Sequence, residues 1–144
     1  MRRKHSWPED LHAFIESRVG APFAWGMNDC CLFSADAIQS MTVVDVAAEF
    51  RGKYTDEASA MAIIKTVTGG ATVEDAANHA ATKYGLQALP SVLFAQRGDL
   101  LLYSDPQTGL SLGIVYHNGK DGLFVGAKGL HRLPIKKCAK AWRV

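Results

Sequence analysis

The sequence predicts an α+β fold in which N-terminal helices pack on a small C-terminal antiparallel sheet. Apolar residues recur at helical spacing through the first half of the 144-residue chain. From Arg97 onward, short apolar runs alternate with Gly, Asn and Asp turn signals, which is typical of antiparallel strands. The composition is 48% hydrophobic and 21% charged, as in ordinary globular proteins. Because no linker of unusual composition interrupts the chain, residues 1–144 are expected to form a single domain.

Four helices are predicted in the first half. The first is indicated by apolar residues at helical spacing, namely Leu11, Phe14, Ile15 and Val19. Gly20, together with Pro22, is expected to end it. The second is expected from residue 28 or 29 to about residue 41. The third is expected over 57–67, before a glycine pair, and the fourth over 73–84, before a further glycine.

Four sequence runs predict the strands of a small meander: RGDLLLYSD, LSLGIVYHNGKDG, LFVGAKG and LHRLPIKKCAKAWRV. Each run is apolar and is bounded by the turn residues Gly, Asn or Asp. The last run ends in AWRV, and two uses of Trp142 stay open. Its indole either closes the core from the end of the chain or anchors an interface with a partner.

Charge and cysteine usage exclude several classes of function. The net charge is +2 and the basic residues are dispersed, which argues against nucleic-acid binding. No signal peptide and no membrane span of ~18 apolar residues is predicted, so we expect synthesis in a cytoplasm. Cys30 and Cys31 are adjacent and Cys138 is distant, which fits neither a disulfide framework nor a zinc pattern. No metal and no cofactor is predicted.

The stretch FAWGMNDCCLF places two cysteines after an Asn-Asp pair, where the second helix is expected to begin. If Asn28 caps this helix, Cys30 sits in its first turn, where free backbone donors and the helix dipole stabilise a thiolate. Cys31 lies about 100° further around the helix and is expected in the core. Trp25 is expected to pack beside Cys30. Simple packing in the core stays the alternative to a nucleophilic role for Cys30.

The segments WGMNDCCLF, RGDLLLY and SLGIV occur in this order and resemble motifs of the NlpC-type cysteine peptidases, a papain-like superfamily of cell-wall hydrolases. In that family an Asp-Cys pair opens a helix, Gly-Asp opens the first strand, and His-Val-Gly-Ile forms the next. The resemblance implies a papain-like (NlpC-type) fold, with Asp29 and Cys30 as the Asp-Cys pair and Cys30 at the nucleophile position. It also implies a binding role for Trp25 and Gly26 beside the site.

The histidine of the family motif is replaced by Ser111 in this chain. Serine cannot accept the thiol proton at neutral pH, and loss of such a base commonly lowers rates by ~10²–10⁴. His117 is expected on the same strand, but about 20 Å away at ~3.3 Å per residue. His131, on a later strand, is an alternative base only if its strand neighbours the second one on the correct face.

The chain also resembles a small phage family found among tail-tip genes, through its WG..DC start, its FRGKY segment and its terminal AWRV. This resemblance implies a location in the virion tail, with other tail-tip or hub proteins as partners. Two functions stay open. One is a structural adaptor that keeps the peptidase fold without turnover. The other is a cysteine endopeptidase or amidase acting on host peptidoglycan. The replacement of the family histidine by Ser111 favours the adaptor, because it removes the base that catalysis requires.

Overall fold

Four α-helices fill the N-terminal half of the chain, as the periodicity predicts. The computed structural model describes residues 1–144, and its helices are α1 (Trp7–Arg18), α2 (Cys30–Thr42), α3 (Glu57–Thr68) and α4 (Val73–Tyr84). Each predicted helix is confirmed to within one or two residues. None of the four is both long enough and apolar enough to cross a membrane.

Local capping explains where α3 and α4 begin and end. The side chains of Asp56 and Thr72 each accept a hydrogen bond from the backbone N–H three residues later, within reciprocal capping boxes. Gly69 and Gly85 then end the two helices in the left-handed conformation, with φ of 79° at both. Glycine adopts this conformation without steric cost, so the glycine stop signals in the sequence are confirmed.

One antiparallel sheet of six strands fills the C-terminal half. The strands are β1 (Gln87–Ala88), β2 (Leu100–Asp105), β3 (Gly109–Val115), β4 (Asp121–Gly126), β5 (Gly129–Pro134) and β6 (Lys140–Arg143). Their order in the sheet is β1-β6-β2-β3-β4-β5. The α+β prediction is therefore confirmed. The prediction of a simple meander is wrong for the last run, LHRLPIKKCAKAWRV. This run forms two strands, β5 and β6, separated by the 3₁₀ turn Ile135–Lys137. β6 does not pair with β5 but lies between β1 and β2.

The side chains of the sheet alternate between two hydrophobic clusters. Leu102 and Ile114 belong to the main core beneath the helices, whereas Leu101 and Phe124 belong to a smaller cluster on the opposite face. Trp142 is 2% exposed and lies in the main core. Of the two uses left open for Trp142, the structure supports closure of the core, and its side chain is not available to a partner.

Asp99, fully buried before β2, ties both ends of the chain to the sheet. Its carboxylate accepts hydrogen bonds from Arg3 Nη2 at 2.9 Å and Arg143 Nε at 2.8 Å. It also accepts the backbone N–H groups of Gln96 at 2.9 Å and Val144 at 3.1 Å. Four donors compensate for the burial of this charge, and they hold β6 in the interior of the sheet.

Candidate functional site

The start of α2 is built around the buried carboxylate of Asp29, which is 2% exposed. Its Oδ1 accepts the backbone N–H of Leu32 at 2.9 Å. Its Oδ2 accepts the N–H of Gly26 at 3.0 Å and the hydroxyl of Tyr54 at 2.5 Å. Asp29 is thus the N-cap of α2, and the prediction that Asn28 caps this helix is wrong.

Asn28 instead fixes the loop that leads into α2. Its Nδ2 donates to the carbonyl oxygens of Ala21 at 3.1 Å and Pro22 at 3.0 Å. Its Oδ1 accepts from the Arg18 guanidinium at 3.0 Å. Because all these partners lie N-terminal to Asn28, its side chain points back along the loop and leaves the helix amides to the next residue.

Gly26 and Trp25 shape the approach to the helix start. Gly26 has a φ of 76°, and a Cβ atom on it would clash with the Tyr54 carbonyl oxygen, so a side chain here would displace that segment. The Trp25 ring packs edge-to-face against Phe23, with 4.9 Å between ring centroids. Trp25 and Cys30 line the same cavity, as the sequence predicts.

The Cys30 thiol lies at the free edge of β3. Because β4 pairs with β3 only at Ile114 and Val115, the N-terminal part of β3 has no strand neighbour on that side. The backbone N–H of Leu112 and the side chain of Ser111 are near enough to this thiol to lower its pKa. The structure therefore brings together Cys30 and Ser111, which the sequence places 81 positions apart.

Cys30 is the more easily deprotonated of the two adjacent cysteines. A hydrogen bond with the Cys31 thiol is the main factor that lowers the pKa of Cys30, while the Leu112 amide and the Ser111 hydroxyl lower it further. Burial and the Asp29 charge act in the opposite direction. The contact with Cys30, together with burial, raises the pKa of Cys31 well above its ordinary value. A thiolate in this pair therefore resides on Cys30.

Two histidines lie on or just after the strands of the sheet, His131 on β5 and His117 after β3. His131 is the cross-strand neighbour of Phe124, which belongs to the small cluster on the face opposite the helices. His131 lies on β5, which β4 separates from β3 in the sheet, so the condition for its use as a base is not met. His117 is half-buried after β3, with its ring 5.4 Å from that of His12 on α1.

Tyr54 is the site residue that the sequence reasoning missed. It ends the FRGKY segment, whose Arg51 pairs with Asp36 at 2.7 Å and with Asp45 at 2.9 Å. Burial and the hydrogen bond to Asp29 raise the pKa of Tyr54, so its hydroxyl stays protonated and remains a donor. The FRGKY segment was the only signal for this residue, and it did not indicate which side chain reaches the site.

Two small apolar cavities adjoin the cysteines, each with a volume of about 40 Å³. One lies beside Cys30 and Trp25 against α3, and the other lies between α2, α4 and the sheet. Both are lined by Cys31, Ala47, Phe50 and Ala76. No group of three or more His, Cys, Asp or Glu side chains is arranged to hold a metal ion. The site can thus hold an apolar group next to a reactive thiol.

Alkylation as a function of pH tests the pairing of the two thiols. Iodoacetamide should modify Cys30 faster than Cys31 at neutral pH, with a midpoint for Cys30 below the ordinary cysteine value of about 8.5. In Cys31→Ala the midpoint should rise, because the main hydrogen bond that favours the Cys30 thiolate is lost. Cys138→Ala, in the opposite cluster, is the matched control. Equal, slow labelling of both cysteines, or an unchanged midpoint in Cys31→Ala, would contradict this assignment.

Comparison with known proteins gives one family. No curated protein matches the chain. The family model described as Domain of unknown function (DUF6950) matches residues 2–144, which is nearly the whole sequence. The chain therefore belongs to the DUF6950 family.

Proposed function

We propose that this protein is a component of a phage tail tip, in which a papain-like (NlpC-type) scaffold acts as a structural adaptor without turnover. The observation that carries the proposal is that Ser111, which occupies the position of the family histidine, lies near enough to the Cys30 thiol to lower its pKa. The nucleophile position is kept at a capped helix start. A hydroxyl stands where the resemblance places the base.

A hydroxyl in this position cannot support amide cleavage. Hydrolysis of an amide needs a group that accepts the thiol proton and returns it to the leaving amine. Asp29 is buried and already accepts three hydrogen bonds, one of them from the Tyr54 hydroxyl, which keeps its proton. Ser111 stays protonated at neutral pH. The residues around Cys30 therefore lower the pKa of its thiol, but none of Asp29, Tyr54 and Ser111 passes a proton to a leaving amine.

An adaptor acts through its surface, and one exposed apolar site suits this role. Leu93 and Phe94 are adjacent on the 3₁₀ turn Val92–Phe94 and are 70% and 61% exposed. Ser91 caps this turn by accepting the Leu93 N–H, and Arg143 donates to the Phe94 carbonyl oxygen at 2.9 Å. The pair is thus held in place rather than left on a loose loop. Large apolar residues of this kind anchor protein interfaces, here with other tail-tip or hub proteins.

The second candidate is a cysteine endopeptidase or amidase that acts on host peptidoglycan. The lowered pKa of Cys30 favours it, because a thiolate at neutral pH is the nucleophile that such an enzyme requires. This candidate needs a base supplied from outside the residues described above, such as one on a partner protein.

The turnover part of the proposal is tested with purified peptidoglycan. The unmodified chain should release no peptide fragments. Ser111→His should gain activity, because it places an imidazole beside the Cys30 thiol, and a base in this role is worth ~10²–10⁴ in rate. Ser111→Ala is the matched control for loss of the hydroxyl alone. Cleavage by the unmodified chain that disappears in Cys30→Ala would contradict the adaptor and favour the amidase.

The adaptor part is tested by assembly. When the tagged chain is produced together with a complete set of tail genes, it should sediment with the tails. The double variant Leu93→Asp and Phe94→Asp should fold but leave the particle fraction, because a charge replaces each exposed apolar contact. Met27→Asp is the matched control, since Met27 is 76% exposed and distant in sequence. Particles that form normally without the chain, and that never contain it, would contradict the role.

A further inference from the structure

The face of the sheet opposite the helices carries two short 3₁₀ turns. The small hydrophobic cluster on this face contains no residue of an α-helix. The turn Val92–Phe94 packs against the cluster through Val92, and the turn Ile135–Lys137 packs against it through Ile135. The two turns lie side by side, with Cα atoms within 8 Å of each other. The side chains that these turns present outward are therefore part of the surface that this face offers to a partner.

The first turn presents two apolar side chains to solvent. Leu93 and Phe94 are largely exposed, and neither belongs to the cluster beneath the turn. The side chain of Ser91 and the guanidinium of Arg143 hold the backbone of this turn by hydrogen bonds. A partner that packs on Leu93 and Phe94 therefore does not have to order the turn, and that part of the entropic cost of binding is avoided.

The second turn places lysines beside these apolar side chains. Lys136 and Lys137 are exposed, and so is Lys120, whose carbonyl oxygen accepts the Ile135 N–H at 2.9 Å. None of the three lysines forms an ion pair with a carboxylate of the chain. Their charges are thus available to a partner.

Acidic residues are absent from the last part of the chain. None of the 14 Asp and Glu residues lies after Asp121, whereas six of the 16 Lys and Arg residues do. The turns 92–94 and 135–137 themselves contain no acidic residue. A net charge of only +2 is therefore compatible with a positive surface beside Leu93 and Phe94. Such a surface complements a negatively charged partner.

The composition of this surface distinguishes between kinds of anionic partner. A membrane surface is bound by clusters of about four to eight Lys and Arg residues, and nucleic acid by longer basic stripes. Here only three lysines border two adjacent apolar side chains. A small apolar centre with a charged rim is the arrangement of a protein interface. The surface therefore fits an acidic protein segment better than a membrane or a nucleic acid.

We propose that Leu93, Phe94 and the three lysines Lys120, Lys136 and Lys137 form one docking surface for an acidic segment of another tail-tip protein. Apolar side chains of this segment pack on the Leu-Phe pair, and flanking Asp or Glu carboxylates pair with the lysines. The apolar contacts supply most of the affinity, and the lysines supply orientation and specificity. This inference rests on the proposed adaptor role and adds the chemistry of the partner.

A random dodecapeptide library, displayed on yeast and sorted against the full chain, tests this chemistry. Enriched peptides should combine Asp or Glu with large apolar residues and carry a net negative charge. Sorting against the double variant Lys136→Glu and Lys137→Glu should enrich neutral or basic peptides instead. The matched control is Lys53→Glu with Lys65→Glu, which changes the net charge equally at exposed lysines of the helical half. This control should enrich the same acidic peptides as the unmodified chain.

Binding of one enriched peptide, measured by fluorescence anisotropy, separates the two contributions. Lys136→Glu with Lys137→Glu should weaken binding on the order of tenfold, because two attractions become repulsions. Leu93→Asp with Phe94→Asp should abolish measurable binding. Added salt should weaken binding to the unmodified chain, since exposed charges are screened. The inference is overturned if no acidic peptides are enriched, if charge reversal leaves binding unchanged, or if the chain instead sediments with phosphatidylserine vesicles.

Tail assembly distinguishes failure of this inference from failure of the adaptor role. The chain with Lys136→Glu and Lys137→Glu should leave the particle fraction, whereas the matched control should stay with the tails. If the charge-reversed chain enters tails as well as the unmodified chain does, the docking surface is contradicted and the adaptor role stands. If the unmodified chain never enters tails, the adaptor role is contradicted, and peptide selection still decides the chemistry of the surface.

Discussion

The hydrogen bonds to the Asp29 carboxylate hold the candidate site together. They connect three separate parts of the chain, because Gly26 belongs to the loop before α2, Leu32 to its first turn, and Tyr54 to the FRGKY segment. The charge is buried, so each donor is needed to offset the lost hydration. Since Cys30 directly follows Asp29, the same bonds determine where its thiol meets the edge of β3.

The chemistry of the site follows from what surrounds this thiol. The Leu112 amide and the Cys31 thiol favour the Cys30 thiolate, whereas the nearby Ser111 hydroxyl cannot accept the thiol proton at neutral pH. Such a site combines a thiol of lowered pKa with a hydroxyl at the position where the resemblance places a base. The proposed adaptor does not use this thiol and needs only the scaffold and its exposed surface around Leu93 and Phe94.

The structural features that were predicted correctly from the sequence are those that local interactions determine. Helix ends follow from caps and glycines, so the α2 start and the Cys30 position were predicted to within a residue. Asn28 and Asp29 are equally good caps by residue type, and only the contacts of Asn28 with the preceding loop distinguish them. Tyr54 was missed because it reaches Asp29 across 25 positions, and periodicity carries no information about such contacts. The position of β6 between β1 and β2 was not predicted for the same reason, because strand order depends on pairing between residues far apart in the sequence.

The most direct test of this account is the coupling between Asp29 and Tyr54. A double-mutant cycle with Asp29→Ala and Tyr54→Phe, measured by urea unfolding, isolates their interaction from the other contacts of each residue. A hydrogen bond to a buried carboxylate predicts a coupling free energy of about 1.5–3 kcal/mol. A coupling near zero would contradict the central claim, because the FRGKY segment would then not hold the start of α2.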